Sequence, residues 1–156
     1  MRVTLRLVLD CSPDAAWDAL HSPAAMRYAM RPWLRFRMED GAPFPQRWEE
    51  GHGYRLSTSL FGVIPTGDQR VELSSDSRGE VRILTDDGGP VSGALNIVTD
   101  FRHRMGVSPA AGGRTLYRDR LDIGGGSSIV AWPLFWVMWQ WRASRLKQLA
   151  RGLPLV

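Results

Sequence analysis

The sequence predicts an α+β domain in which an antiparallel sheet of six or seven strands curves around one long C-terminal helix, with two short helices after the first strand. Three observations predict it. Apolar and polar residues alternate at the N-terminus and again over most of 33–123. Two proline-led segments with helical spacing follow the first alternating run. Beyond residue 128 the apolar period changes from two to three and four, the spacing of a helix face.

In the first strand Val3, Leu5, Leu7 and Leu9 share one face, with Arg2, Thr4 and Arg6 on the other. Ser12-Pro13-Asp14 then supplies an N-cap, an N1 proline and a first-turn acid, and Trp17 and Leu20 form the buried stripe of a short helix. Ser22-Pro23 repeats the start signal, Met26, Ala29 and Met30 continue a second helix, and Pro32 ends it.

Strand patterning dominates from Trp33 to Ile123. Leu34, Phe36 and Met38 alternate with arginines, and Tyr54, Leu56, Thr58 and Leu60 alternate with Arg55, Ser57 and Ser59. Gln69, Val71 and Leu73 follow a turn at Pro65-Thr66-Gly67, and Val81–Thr85 follows one at Ser77-Arg78-Gly79. Leu95, Ile97, Thr99, Phe101, His103 and Met105 share a face, as do Thr115, Tyr117, Asp119, Leu121 and Ile123 beyond a turn at Pro109–Gly113. Short strands joined by tight turns read as an antiparallel meander. Gly124–Gly126 with Ser127 and Ser128 break the sheet and start a helix over about Ile129–Gly152. Its stripe is Trp132, Phe135, Trp136, Trp139, Ala143, Leu146 and Ala150, and its second half is basic, with Arg142, Arg145, Lys147 and Arg151.

Composition narrows the function classes. At 156 residues the chain suits one domain, 1–156, long enough to bury a core, with 44% hydrophobic and 23% charged residues. Net charge is +4, and of 20 basic residues only Lys147 is a lysine. The arginines interleave with acids instead of gathering into a stripe, which argues against nucleic-acid binding. Cys11 is the only cysteine, so no disulfide forms within the chain, and a reducing, cytoplasmic setting is expected. Arg6 and Asp10 break the apolar N-terminal run, so a targeting signal is not expected. The longest apolar stretch, Ile129–Trp139, falls well short of the roughly 20 residues of a membrane span.

Several local signatures resemble one superfamily. They are Ser12-Pro13-Asp14-Ala15-Ala16-Trp17, Trp48-Glu49-Glu50-Gly51 leading into Tyr54, and Phe61-Gly62-Val63-Ile64-Pro65-Thr66-Gly67-Asp68-Gln69. Phe101-Arg102-His103-Arg104 and Tyr117-Arg118-Asp119-Arg120-Leu121 complete the set. Together with the element order, they resemble an uncharacterised bacterial branch of SRPBCC, which groups polyketide cyclases, START lipid-transfer domains and pollen allergens. Phe101 stands where that branch often carries tryptophan. The resemblance covers essentially the whole chain and implies a helix-grip fold with a hydrophobic cavity between sheet and helix. It does not imply one reaction.

His103 and Asp119 are the most informative pair. Both fall on the interior face, and a symmetric hairpin about Pro109–Gly113 with Val107 opposite Thr115 would set them directly opposite each other. An aspartate that fixes a histidine tautomer serves acid–base catalysis; a buried polar pair that merely satisfies itself has the same pattern. Cys11 has no basic neighbour to make it a nucleophile. His21, His52 and His103 lie on separate elements, so neither a metal nor a cofactor is expected. Gly124–Gly126 lacks the rest of a phosphate-loop motif.

These features point to a domain that binds or carries a hydrophobic small molecule, a lipid or an aromatic, polyketide-like compound. Leu56, Phe101, Tyr117, Leu121, Phe135, Trp136 and Trp139 would line the pocket, with Gln69 or Thr99 as polar additions. The alternatives are a cyclase- or dehydratase-type enzyme using His103 with Asp119, and a partner-binding regulator without a ligand. The helix carries more apolar residues than one buried face needs. That surplus fits a homodimer interface, a pocket rim or shallow membrane contact.

Overall fold

A computed structural model describes residues 1–94, 100–124 and 128–155, the side chains of 128–131 excepted. The chain runs β1 (Arg2–Leu9), α1 (Pro13–Leu20), α2 (Pro23–Met30), β2 (Leu34–Met38), β3 (Gly53–Leu60), β4 (Ile64–Arg78), β5 (Val81–Asp86), β6 (Gly89–Pro90), β7 (Phe101–Ala110), β8 (Arg114–Ile123) and α3 (Ser128–Ala150). The strands form one antiparallel sheet in the order β1-β8-β7-β5-β4-β3-β2, with β6 pairing beside β4. Among the described residues the strands number eight, above the six or seven expected, because Gly89–Pro90 contributes a two-residue strand that its length hides from any periodicity. The α+β, helix-grip architecture is as predicted, with α3 packed across the sheet.

Both short helices start as their sequences dictate. Ser12 Oγ accepts from the Ala15 amide at 3.2 Å and Ser22 Oγ from the Ala25 amide at 3.3 Å, with a proline in the first turn of each helix. Such caps are each worth about 1 kcal/mol. His21 then ties α1 to the following loop, its Nδ1 lying 3.0 Å from the Trp17 carbonyl and its Nε2 3.1 Å from Glu50.

Two turns differ from expectation. Pro65-Thr66-Gly67 is a bulge inside β4, since Thr58 pairs with Gly67 and Ser59 with Pro65, and the chain reverses earlier, at Phe61 and Gly62. Gly67 sits at φ 116°, and a Cβ there would run into the Ser92 carbonyl, so only glycine fits. Between β7 and β8 the reversal is shorter than predicted. Gly112 and Gly113, at φ 72° and 69°, close it tightly, so the strands continue through Pro109 and Ala110. Pro109 is tolerated because it lies past the end of the β5 ladder, which stops at Val107. Val107 therefore pairs with Tyr117 and not Thr115.

The convex surface explains the arginine content. Arg2 and Arg120 pair with Asp122, Arg55 with Glu39, Arg70 with Glu72 and Arg102 with Asp87, each across or along neighbouring strands. The predicted run Leu95, Ile97 and Thr99 lies outside the described residues, as do Gly125, Gly126 and Ser127.

Candidate functional site

The shorter hairpin changes how His103 and Asp119 meet. His103 is opposite Leu121 and Met105 is opposite Asp119, so the pair is diagonal across β7 and β8, not directly opposed as predicted. Diagonal neighbours on one face remain within reach of long side chains. His103 Nε2 lies 2.8 Å from Asp119 Oδ1.

Asp119 takes three further donors. Trp139 Nε1 reaches Oδ1 at 3.1 Å, while the Tyr117 hydroxyl at 2.7 Å and Arg142 Nε at 3.2 Å donate to Oδ2. Two come from strands and two from α3. Asp119 is 1% exposed and Arg142 6%, so the charges have left bulk water and must be compensated locally. Burial alone would push the Asp119 carboxyl up. His103 and Arg142, with the Tyr117 hydroxyl, overcome this and hold it well below the usual carboxylate range. Burial and the adjacent carboxylate push the Tyr117 hydroxyl up, so it stays a donor. Burial works against the Arg142 charge, but Tyr117 and Asp119 outweigh it.

The His103 nitrogen facing Asp119 must carry a proton to bond a carboxylate. That leaves Nδ1 without a protein partner among the described residues. Trp139 meets the His103 ring edge-on, centroids 5.5 Å apart, which holds the ring plane.

Beneath α3 lies a cavity of about 280 Å³. Most of its wall is apolar, with Met26, Met30, Phe36, Val71 and Met138 among the residues facing it. Thr66, Gln69, Asp86, His103, Tyr117 and Arg142 supply polar groups. Four of these gather on one wall because β5, β7 and β8 are adjacent and α3 brings Arg142 to them. The volume is at the small end of those of typical ligand pockets.

No family model matches the chain, and no curated protein does. Solved structures do. A Chromobacterium violaceum protein matches with a TM-score of 0.68 at 16% identity, covering 96% of each chain. A hypothetical protein from Helicobacter pylori matches with a TM-score of 0.69 at 11% identity, over 96% of this chain and 88% of its own. An Arthrobacter aurescens protein gives 0.70 at 8% identity, over 99% and 89%. They share the fold. At these identities nothing more carries over.

Five of the predicted pocket residues, Gln69, Phe101, Tyr117, Phe135 and Trp139, line the cavity. Three do not. Leu56 and Leu121 are wholly buried in the core beside it, where neighbouring side chains cover them. Trp136 is 45% exposed and stacks on Trp132 outside, centroids 6.4 Å apart. The buried face of α3 runs through Met138, Trp139, Arg142 and Leu146, and Trp136 falls past its edge. The surplus apolar surface on α3 is accordingly Trp132, Leu134, Trp136, Val137 and Trp141. Gln69 makes no bond to His103 among the described residues, and Thr99 lies outside them.

Sequence reasoning missed Arg142 and Asp86. Arg142 resembled the solvated basic half of the helix. Asp86 lies just past the strand read over Val81–Thr85, yet it shares parity with Leu84 and is paired with His103 across β5 and β7. Cys11 is fully buried and burial pushes its thiol up, so it is not a nucleophile. No cluster of metal-ligating side chains occurs among the described residues, and no described helix is long and apolar enough to cross a membrane.

Proposed function

We propose that this protein binds or carries a hydrophobic small molecule in the cavity between its sheet and α3. One observation carries the reading: an apolar chamber holds a compact group of oriented polar side chains on one wall. A regulator acting through its surface alone has no use for such a chamber, which disfavours the ligand-free alternative. The same features support membership of the SRPBCC superfamily and action in the cytoplasm, with the exposed face of α3 as the place for contact with a second copy or a lipid surface.

Native mass spectrometry of freshly purified protein tests the reading. A bound mass lost on denaturation, together with a raised Tm when naphthalene-sized aromatics are added to stripped protein, is the expected result. An empty protein whose Tm no apolar compound of that size moves would sink it. The acid–base reading, a cyclase- or dehydratase-type reaction using His103 with Asp119, is favoured by the unpaired Nδ1 of His103. It predicts that a His103→Phe variant still binds ligand yet no longer converts it.

A further inference from the structure

Asp86 stands beside the functional pair without belonging to it. It is opposite His103 in the β5–β7 ladder, on the same inward face, and both line the cavity. Directly opposed residues in antiparallel strands have Cβ atoms about 4.5–5.5 Å apart. One small polar group can therefore touch both.

The two side chains are also positioned before any ligand arrives. Asp86 Oδ1 accepts from the amides of Glu72 and Gly88, each at 3.0 Å, which fixes the carboxyl and leaves Oδ2 without a protein partner among the described residues. Asp119 holds Nε2 of His103, leaving Nδ1. Resting on the cavity reading above, we propose that Asp86 and His103 together bind the hydroxyl group of a hydrophobic alcohol or phenol, with one proton held between Nδ1 and the Asp86 carboxyl so that the hydroxyl donates to one and accepts from the other.

Charge favours a neutral hydroxyl over a carboxylate. Arg142 is the only permanent cation among the described cavity residues, and it is already engaged: Nε bonds Asp119 and Nη2 lies 3.5 Å from Met105 Sδ. An incoming anion would meet no free permanent cation among the described cavity residues. Burial pushes the Asp86 carboxyl up, against the opposing pull of the Glu72 and Gly88 amides and of His103. Thr66, Gln69 and Tyr117, the remaining polar liners, are uncharged.

The test compares three probes on one scaffold, naphthalene, 2-naphthol and 2-naphthoate, by titration calorimetry of the stripped, full-length protein at pH 7. Two well-placed hydrogen bonds should make 2-naphthol bind about tenfold tighter than naphthalene, and tighter than 2-naphthoate. In His103→Phe the naphthol advantage should vanish while naphthalene affinity holds. The comparison on the unaltered protein decides the matter even if that variant does not fold. Equal affinity for naphthol and naphthalene overturns the hydroxyl site but leaves the hydrophobic cavity standing. Tightest binding of naphthoate overturns it in favour of an anion site. Failure of all three to bind removes the cavity reading, and this inference with it.

Discussion

Arg142, on the C-terminal helix, sets its Nε 3.2 Å from Oδ2 of Asp119, on the last strand, and both side chains are almost wholly buried. A carboxylate and a guanidinium have thus been taken out of water together. Losing one partner leaves the other charged and uncompensated, which typically costs about 3–5 kcal/mol. Arg142→Met should destabilise by an amount in that range, and Asp119→Asn should relieve most of the deficit in the double variant. Urea unfolding of the cycle measures it; two losses that simply add would mean the ion pair is not coupled.

The second cycle concerns His103 and Asp119. His103→Gln with Asp119→Asn should be non-additive by more than about 0.5 kcal/mol, the limit for independent sites. Additivity within that limit would contradict the 2.8 Å bond. Three other donors remain on Asp119, so His103→Gln alone should cost less than Asp119→Asn alone.

Two tryptophans three residues apart should behave oppositely. Trp139 is 5% exposed, and Trp139→Ala should cost about 3–5 kcal/mol. Trp136 faces out, and Trp136→Ala should stay within about 0.5 kcal/mol. Thermal melts of both variants check this. A large loss at Trp136 would mean that a partner buries it.

The contrast between those residues shows what the sequence carried and what it did not. Period-two alternation was sufficient for the strands and the stripe for α3, because both reflect one buried face. The burial of Arg142 was not legible, since its partner Asp119 is far away in sequence. The hairpin register was misread by two residues because Pro109 looked like a strand end, while Gly112 and Gly113 permit a tighter reversal. His103 and Asp119 survived that error because a shift of two preserves the face. Asp86 was missed because the strand was ended at Thr85, although its parity with Leu84 was there to be read.

The two buried aspartates should make opposite contributions to stability as pH changes. The Asp119 carboxyl is lowered in the folded state, so its contribution is fully present above the unfolded value near ~3.9. It is lost only as pH falls through the lower folded value. The Asp86 carboxyl is raised, so its contribution is present below ~3.9 and is lost as pH rises through the folded value. Asp86→Asn keeps an oxygen for the Glu72 and Gly88 amides but cannot ionise. It should raise Tm at pH 7, with the gain shrinking as pH approaches 4. A variant less stable than the parent at pH 7 would show that the ionised form is not penalised.

The four-donor arrangement around Asp119 also sets the axial position of the last helix. A seam of hydrocarbon alone is nearly indifferent to sliding, because one leucine or methionine replaces another after each turn. Here a slip of one turn, about 5.4 Å, would carry Trp139 and Arg142 away from the carboxylate together. Asp119 would keep only His103 and Tyr117, both from the sheet, and a buried guanidinium would be stranded among methionines. The carboxylate therefore works as a detent, stopping α3 at one notch and so defining the length of the chamber beneath it.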